Sequence, residues 1–400
     1  MKVIVIGNGL AGTMAAKTLR ELDSGVEVHV YAEEKYPYYP RPNLIEYIAG
    51  RLPYERLFAF SEDWHIRQNI GIYLGKPVRK IHPPSRKIEI ESGKEESYDA
   101  LLVANGASSF IPAIRGSEKR GVFTLRTLDD AQAILDYLKD HSKVVVIGGG
   151  LLGLEIARAL KSRGAEVEVV EFFDRLLPRQ LDQHGASLLK KQIEGQGIRV
   201  RLGVATEEIV GQKEVTGLRF KGGEETVANL AVIAAGVRPN LGLLKEAGLT
   251  TDKGLLVDDF LRTNLPQIFG AGDSIQHDGK VYGIIPASFD QARTVAYNIL
   301  GEPKKYEGTV PSNTLKVAGI YMTSVGTVNP EGLDYQEIRT LKEEEGVYKK
   351  IVLLGGAMVG AIWMGTKKGA NEIVRAVTTK RRVSQWVNHL LEDTFDFSVL

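Results

Sequence analysis

The sequence predicts an α/β chain in which two parallel-sheet domains of one design, the second inserted in the first, precede an α+β domain. Three observations carry this. Two glycine-rich turns, VIVIGNGLAG and VVVIGGGLLG, each follow an apolar β-branched run and each open a helical stretch. Each is answered much later by a short apolar strand ending in small residues: Ala104, Asn105 and Gly106 in the first half, Ala234, Ala235 and Gly236 in the second. A further strand in RTNLPQIFGAGDSIQ lies after the second half, yet the first needs it for completion.

The first turn carries Gly7, Gly9 and Gly12 in G-x-G-x-x-G positions, after a strand at Val3 to Ile6. The second carries Gly148, Gly150 and Gly153, after a strand at Val144 to Ile147. The first glycine of each set permits a tight turn. The second lets backbone approach a pyrophosphate, and the third lets helix pack on strand. The helix N-terminus then offers unpaired N–H groups and the positive end of its dipole to phosphate. A second strand should end in an acid that bonds a ribose about 20 residues on. VEVHVYAEE supplies Glu33 and AEVEVVEFF supplies Glu171. One such match is weak, because glycines recur in ordinary turns. Two in one chain, each with its acid, point to two Rossmann-like domains and two dinucleotides. The simplest use of two dinucleotides is to move electrons between them.

At 400 residues the chain has room for two or three domains, and 43% hydrophobic with 25% charged residues is ordinary for a globular protein. A net charge of +1 gives no argument for nucleic acid or an anionic membrane. No apolar run approaches the length of a membrane span. Met1 leads directly into the first strand, which makes the cytoplasm the expected location. The cysteine count is zero, which excludes a disulfide, a redox dithiol and thiolate ligands for zinc or iron–sulfur clusters. The seven histidines are scattered without ligand spacing, so no metal site is read.

The first domain is expected over residues 1–110 and 252–310, the second over 111–251, and the α+β domain over 311–400. The stretch Ile114 to Thr127 is read as the crossing linker. KIEIESGKEES and LRFKGGEETV read as hairpins, one in each half. TLKVAGIYMTSVGTV, GVYKKIVLLGG and MVGAIWMG read as strands, with Trp363 in the core, and NEIVRAVTTKRRVSQWVNHLL reads as helix.

Together GNGLAG, PYYPRPNL, the ANG turn, GGGLLGLE, AAGVRPN and IFGAGD resemble the FAD- and NAD(P)H-dependent pyridine nucleotide–disulfide oxidoreductase superfamily over the full length. Within it the chain is most similar to the thiol-free branch of rubredoxin and ferredoxin reductases, and to the flavin domain of nitrite reductase large subunits. GKVYGIIPASFDQA and GVYKKIVLLGGAMVGAIWMG add to that similarity. The resemblance implies FAD in the first domain, NAD(P)H in the second, and a C-terminal interface domain. Gly7, Gly9 and Gly12 would hold the FAD pyrophosphate and Glu33 the adenosine ribose. Val78 would meet the adenine through its backbone. Arg41 and Pro42 would approach the flavin. Gly272 and Asp273 would meet the ribityl chain or pyrophosphate, and Ala104 and Gly106 would lie against the cofactor. Gly148, Gly150, Gly153, Glu171 and Gly236 would hold NADH, and Glu155 would reach toward the nicotinamide–flavin stack. ASFDQA would begin a helix whose positive end faces the flavin. The usual ATG turn is ANG here, with Asn105 in place of threonine.

Arg41, stiffened by Pro40 and Pro42, reads with Glu155 as a catalytic pair that tunes nicotinamide docking. Glu171 favours NADH because a carboxylate bonds ribose hydroxyls and repels a 2′-phosphate; Arg175 and Arg179 nearby soften this. Tyr36, Tyr38 and Tyr39 read as walls of a cleft. Lys367, Lys368, Arg375, Lys380, Arg381 and Arg382 read either as a docking patch for an acidic carrier or as a solvated helix face. The implied activity is hydride transfer from NADH to flavin N5, then electron release to an external acceptor. Rubredoxin or ferredoxin comes first, directly or as a nitrite-reductase-like component. The alternatives are an NADH oxidase, a quinone reductase or an NADH-responsive redox-sensing protein. The C-terminal domain is read either as a dimer interface or as a cap on the flavin cleft.

Overall fold

The computed structural model describes residues 1–317 and 319–400, with backbone alone for 312–317. The chain divides into two compact units. The first comprises Met1–Tyr47, Arg51–Ser109 and Val237–Thr309; the second comprises Ile48–Gly50, Phe110–Gly236 and Val310–Leu400.

The first unit is built on a five-stranded parallel sheet. Its order is Ile268–Gly270, Ala100–Val103, Lys2–Ile6, Glu27–Tyr31, Ile70–Tyr73. Val3, Ile4, Val5, Leu101, Leu102 and Val103 are fully buried. That is the pattern of strands covered on both faces, each such side chain stabilising by about 1.5–3 kcal/mol. The late strand Ile268–Gly270 pairs with Ala100–Val103, so the first unit is discontinuous in sequence. The helix Leu10–Leu22 packs on the helix Ile285–Ile299. Small buried residues, Ala11, Ala15 and Ala16 on one and Ala292 and Ala296 on the other, permit close approach. A three-stranded antiparallel sheet, Val78–His82, Lys87–Ile90 and Glu95–Ser97, contains the first expected hairpin.

The second unit repeats the design. Its parallel order is Arg199–Arg201, Glu166–Val170, Lys143–Ile147, Leu230–Ile233, Val122–Phe123. The second hairpin lies in the sheet Thr206–Val210, Gly217–Phe220, Glu225–Val227. The same unit contains a five-stranded antiparallel sheet ordered Ser312–Val317, Ile320–Gly326, Ala357–Met364, Val347–Leu354, Tyr335–Lys342. Trp363 is fully buried in its core, with its indole N–H donated to the Lys368 carbonyl at 2.9 Å.

Three boundaries differ from the sequence reading. Residues 237–251 fall in the first unit, because Val237–Pro239 pairs antiparallel with Ala107–Ser109. Ile114 to Thr127 is no linker. Ile114 is buried in the second unit's core with Val145 and Ile147, and Val122–Phe123 is an edge strand of its sheet. The helix expected to run through NEIVRAVTTKRRVSQWVNHLL ends at Thr378. Thr378 and Thr379 turn their hydroxyls back onto the Val374 and Arg375 carbonyls, and Lys380 takes a φ of +49° that no helix continues through. Within the expected TLKVAGIYMTSVGTV strand, Ala318 lies outside the described residues, and the side chains of 314–317 are likewise not described.

Candidate functional site

The two glycine turns are the same object built twice. Gly7 and Gly148 have φ of +110° and +120°. A Cβ on Gly7 would lie 2.2 Å from the Ala104 carbonyl oxygen, and one on Gly148 would lie 2.5 Å from that of Ala234. A Cβ on Gly12 or Gly153 would lie 2.0 or 1.9 Å from the carbonyl oxygen of the first glycine of its own turn. The protein's own backbone therefore demands glycine at four positions. At the middle positions it does not: a Cβ on Gly9 or Gly150 would meet nothing within 4 Å. These two are the N-caps of the helices Leu10–Leu22 and Leu151–Ser162, and neither helix has a side-chain cap. Each turn thus presents open space, uncapped N–H groups and a positive helix end, the set a pyrophosphate requires.

The acids behave differently. Glu171 is buried, and its carboxylate accepts the Gly149 N–H at 2.5 Å and the Phe173 N–H at 2.8 Å. It is fixed against the second turn. Phe172 and Phe173 beside it are 67% and 53% exposed, edge to face at 5.4 Å. Arg175 pairs with Asp174 at 3.1 Å. Glu33 is exposed, with Arg79 at 3.9 Å as its ion pair. Arg79 follows Val78, and the backbone of Lys76 and Gly75 donates to Ala32 and Glu34, so Glu33 and the Val78 strand are neighbours.

Arg41 is held by a residue the sequence reading missed. Glu34 takes both guanidinium nitrogens of Arg41, one at 3.2 Å, and also accepts the Tyr39 hydroxyl. Burial works against the Arg41 charge. The Glu34 bond and the fields of Glu34, Tyr39 and Asp273 outweigh it and raise the guanidinium above its ordinary value. Glu34 differs from Glu33 by one place in the sequence, and the acid-to-ribose spacing points to Glu33. Pro42 follows Arg41 and accepts the Ile45 N–H through its carbonyl at 3.2 Å. Tyr38 stands 6.2 Å from Phe60, which stacks on Trp64 at 4.1 Å. Burial raises the Tyr38 hydroxyl above its ordinary value, against the field of Arg41.

Gly272 and Asp273 follow the strand Ile268–Gly270. A Cβ on Gly272 would sit 2.9 Å from the Ala11 Cβ, so this turn lies over the start of the helix Leu10–Leu22, beside the first glycine cradle. ASFDQA falls inside the helix Ile285–Ile299, which starts two residues earlier with Pro286 in its first turn. Asn105 exchanges two hydrogen bonds with Asn240: its amide donates to the Asn240 carbonyl at 2.8 Å and its carbonyl accepts the Asn240 amide at 2.9 Å. The ANG turn is thereby tied to the returning chain. Gly106 and Gly236 have φ of +66° and +100°.

Glu155 lies half-buried at the fifth residue of the helix Leu151–Ser162, past its first turn. Arg41 belongs to the first unit and Glu155 to the second. Beyond the strand Ala357–Met364, Lys367 stands over the Tyr321 ring at 4.2 Å, and after the helix Ala370–Thr378, Lys380, Arg381 and Arg382 are consecutive exposed cations. Among the described residues no cluster of carboxylates and histidines could hold a metal ion, and no helix is long and apolar enough to cross a membrane.

Residues 1–293 match the family model described as pyridine nucleotide-disulphide oxidoreductase, and 311–381 match the rubredoxin NAD+ reductase C-terminal domain. A nitrite reductase [NAD(P)H] of Bacillus subtilis is 34% identical over 96% of this chain and 48% of its own length. An NADH-rubredoxin oxidoreductase of Clostridium acetobutylicum is 29% identical over 92% of this chain and 93% of its own. The crystal structure of a ferredoxin reductase from Rhodopseudomonas palustris superposes with a TM-score of 0.91 at 27% identity, covering 100% of this chain and 99% of that one. The chain spans about half the length of several curated relatives that it matches, among them the B. subtilis nitrite reductase and an assimilatory nitrate reductase electron transfer subunit of that organism.

Proposed function

We propose that this chain, which belongs to the pyridine nucleotide-disulphide oxidoreductase family, oxidises NADH and passes the electrons through FAD to a small external carrier, a rubredoxin or a ferredoxin. Membership implies FAD and NAD(P)H. The observation that carries the reading is the pair of glycine cradles whose middle glycines face open space, in a sequence without cysteine. Two dinucleotides can be held, and within these 400 residues no thiol can relay the electrons.

FAD, when bound, supplies the chemistry: it accepts a hydride from the nicotinamide and gives up electrons to the next acceptor. The residues supply binding and field. Gly7, Gly9 and Gly12 would hold the FAD pyrophosphate, Glu33 and Val78 the adenosine, and Gly272 and Asp273 the ribityl side. Arg41, fixed by Glu34, would place a positive charge on the flavin side of the first unit. Gly148, Gly150, Gly153 and Glu171 would hold NADH. The preference over NADPH is supported by the buried Glu171 carboxylate, which would repel a 2′-phosphate, and by the apolar Phe172 and Phe173 next to it. The cytoplasm, where NADH is generated, is the compartment this reading implies.

The carrier assignment is supported by likeness to proteins named as rubredoxin and ferredoxin reductases. The likeness to nitrite reductase favours a second reading, the same half-reaction serving as the reductase component of a nitrite-reducing assembly. Anaerobic stopped-flow separates these. The protein is reduced with NADH, then mixed with rubredoxin, ferredoxin, a quinone or oxygen. Rapid reoxidation by a protein carrier is expected. Reoxidation by oxygen or quinone alone, or a protein that takes up no FAD, overturns the proposal. In the same experiment Arg41→Ala should slow reduction by NADH; an unchanged rate and FAD content removes the role proposed for Arg41.

A further inference from the structure

Gln291 lies on the helix Ile285–Ile299 and is 1% exposed. Its carbonyl oxygen accepts the Gly272 N–H at 2.8 Å. Its amide donates to the Tyr306 hydroxyl at 3.2 Å. That hydroxyl meets the Thr309 hydroxyl at 2.8 Å, which in turn donates to the Asp290 carboxylate at 3.1 Å. Asp290 closes the series as an acceptor, so every donor direction follows: Gln291 to Tyr306, Tyr306 to Thr309, Thr309 to Asp290. The same series fixes the side-chain amide, with oxygen toward Gly272 and nitrogen toward Tyr306. Burial, helped by the nearby Tyr282, raises the Tyr306 hydroxyl to about 12. It therefore stays protonated and keeps its donor.

A buried amide with no access to water costs stability unless both ends are bonded. Here both are, and the acceptor end is used on one particular N–H. Gly272 has a φ of +86°, where only glycine is comfortable, and stands directly over Ala11 at the start of the helix Leu10–Leu22. The turn that carries Asp273 is thus suspended between that helix and Gln291.

We propose that Gln291 is a positioning residue for the flavin cofactor. It sets the Gly272–Asp273 turn against the first glycine cradle, and Tyr306 and Thr309 hold it in the one orientation that does so. This rests on the reading of the first unit as the FAD site. Without the amide, the turn keeps its glycine but loses its anchor, and binding FAD must then order it.

The test uses the full chain, stripped of FAD and titrated back with it. Gln291→Met fills similar volume without an acceptor for Gly272. It should raise the FAD dissociation constant by about tenfold, the effect of one lost hydrogen bond. It should also alter the visible circular dichroism of the bound flavin and speed amide exchange at Gly272. Tyr306→Phe leaves the Gly272 bond but frees the amide, and a smaller loss, about threefold, is expected. Asn298→Leu is the control. Asn298 is buried on the same helix and bonds the Phe260 and Lys304 carbonyls. Its replacement should lower thermal stability with and without FAD alike and leave affinity unchanged. Wild-type affinity and dichroism in Gln291→Met, with equal loss of stability in both forms, would overturn the positioning role. A wild-type chain that takes up no FAD would instead sink the proposed function.

Discussion

The two glycine cradles agree wherever the backbone touches itself and diverge at the acid that follows. In both, the third glycine lies under the first glycine's carbonyl and the middle one faces open space. Glu171 is the first residue after its strand, and its N–H bonds the Arg201 carbonyl at 2.9 Å. The matching N–H in the first unit belongs to Ala32, bonded to the Tyr73 carbonyl at 3.0 Å. Glu33 therefore stands one place further along than Glu171 and points outward. Close backbone packing keeps the turn constant, while the acid that follows is free to change. The second cradle carries its carboxylate already fixed, whereas Glu33 beside the first is an exposed side chain that any ligand drawing on it would have to order.

The segment after Glu171 is pinned at its far end too. Asp182 caps the helix Gln183–Glu194 through the Gly185 N–H at 3.0 Å, accepts the Tyr348 hydroxyl at 2.6 Å and pairs with buried Lys350 at 3.2 Å. Leu177 donates its N–H to the Gly149 carbonyl at 3.2 Å, and the Gln180 carbonyl accepts the Ser324 hydroxyl at 2.8 Å. Within the second unit the cradle and the antiparallel sheet are thus linked by one short stretch of chain.

The largest expected effect breaks what the cradles share. Gly12→Ala and Gly153→Ala drive a methyl into a backbone carbonyl and should each cost about 3 kcal/mol or more in denaturant unfolding. Gly9→Ala and Gly150→Ala should leave stability within about 0.5 kcal/mol and weaken one ligand each. FAD content should fall in the first and NADH affinity in the second. The opposite pattern of ligand loss would reverse the assignment of the two cradles.

A smaller effect sharpens the contrast. Asp182→Asn leaves Lys350 with Glu337 alone, at 3.0 Å, and should destabilise by about 2–3 kcal/mol. Burial opposes the Asp182 charge, but Tyr348, the Gly185 N–H and Lys350 outweigh it and hold the carboxyl below its ordinary 3.8. A depressed carboxyl stabilises fully above its unfolded value and loses that contribution as pH falls through the folded one. The gap in thermal midpoint between wild type and variant should accordingly be widest above about pH 4 and narrow below it. A gap independent of pH would show that the Asp182 charge plays no part.

The smallest effect separates the acids. Glu171→Gln loses charge on two backbone N–H bonds and should cost about 1–2 kcal/mol while raising KM for NADH. Glu33→Gln should change stability by no more than about 0.5 kcal/mol, because its ion pair is exposed. Equal losses of stability in the two variants would mean that Glu171 is no better fixed than Glu33.

Both cradles, the hairpins and the late strand were legible because they depend on local pattern: a β-branched run, glycines at fixed offsets, polar turns. The segment Ile114 to Thr127 reads as a linker because its charged, glycine-bounded run Arg115 to Gly121 resembles one, while Ile114 is recruited to a core formed by distant residues. Glu34 has no mark of its own in the sequence, because the acid-to-ribose spacing points to Glu33, and which of two adjacent acids turns toward Arg41 depends on the fold. Gln291 stands inside ASFDQA, but nothing in that segment singles it out. A glutamine on an amphipathic helix reads as surface until the turn it holds is in place.

From its residues alone the chain could be read as two dinucleotide cradles without sulfur, since glycine offsets and a missing element are local facts that no packing alters. Where each acid points, which strand closes which sheet, and what holds the Gly272 turn were decided only in three dimensions. Those outcomes depend on N–H and carbonyl groups far apart in sequence finding one another, and on which side chains burial then obliges to be paired.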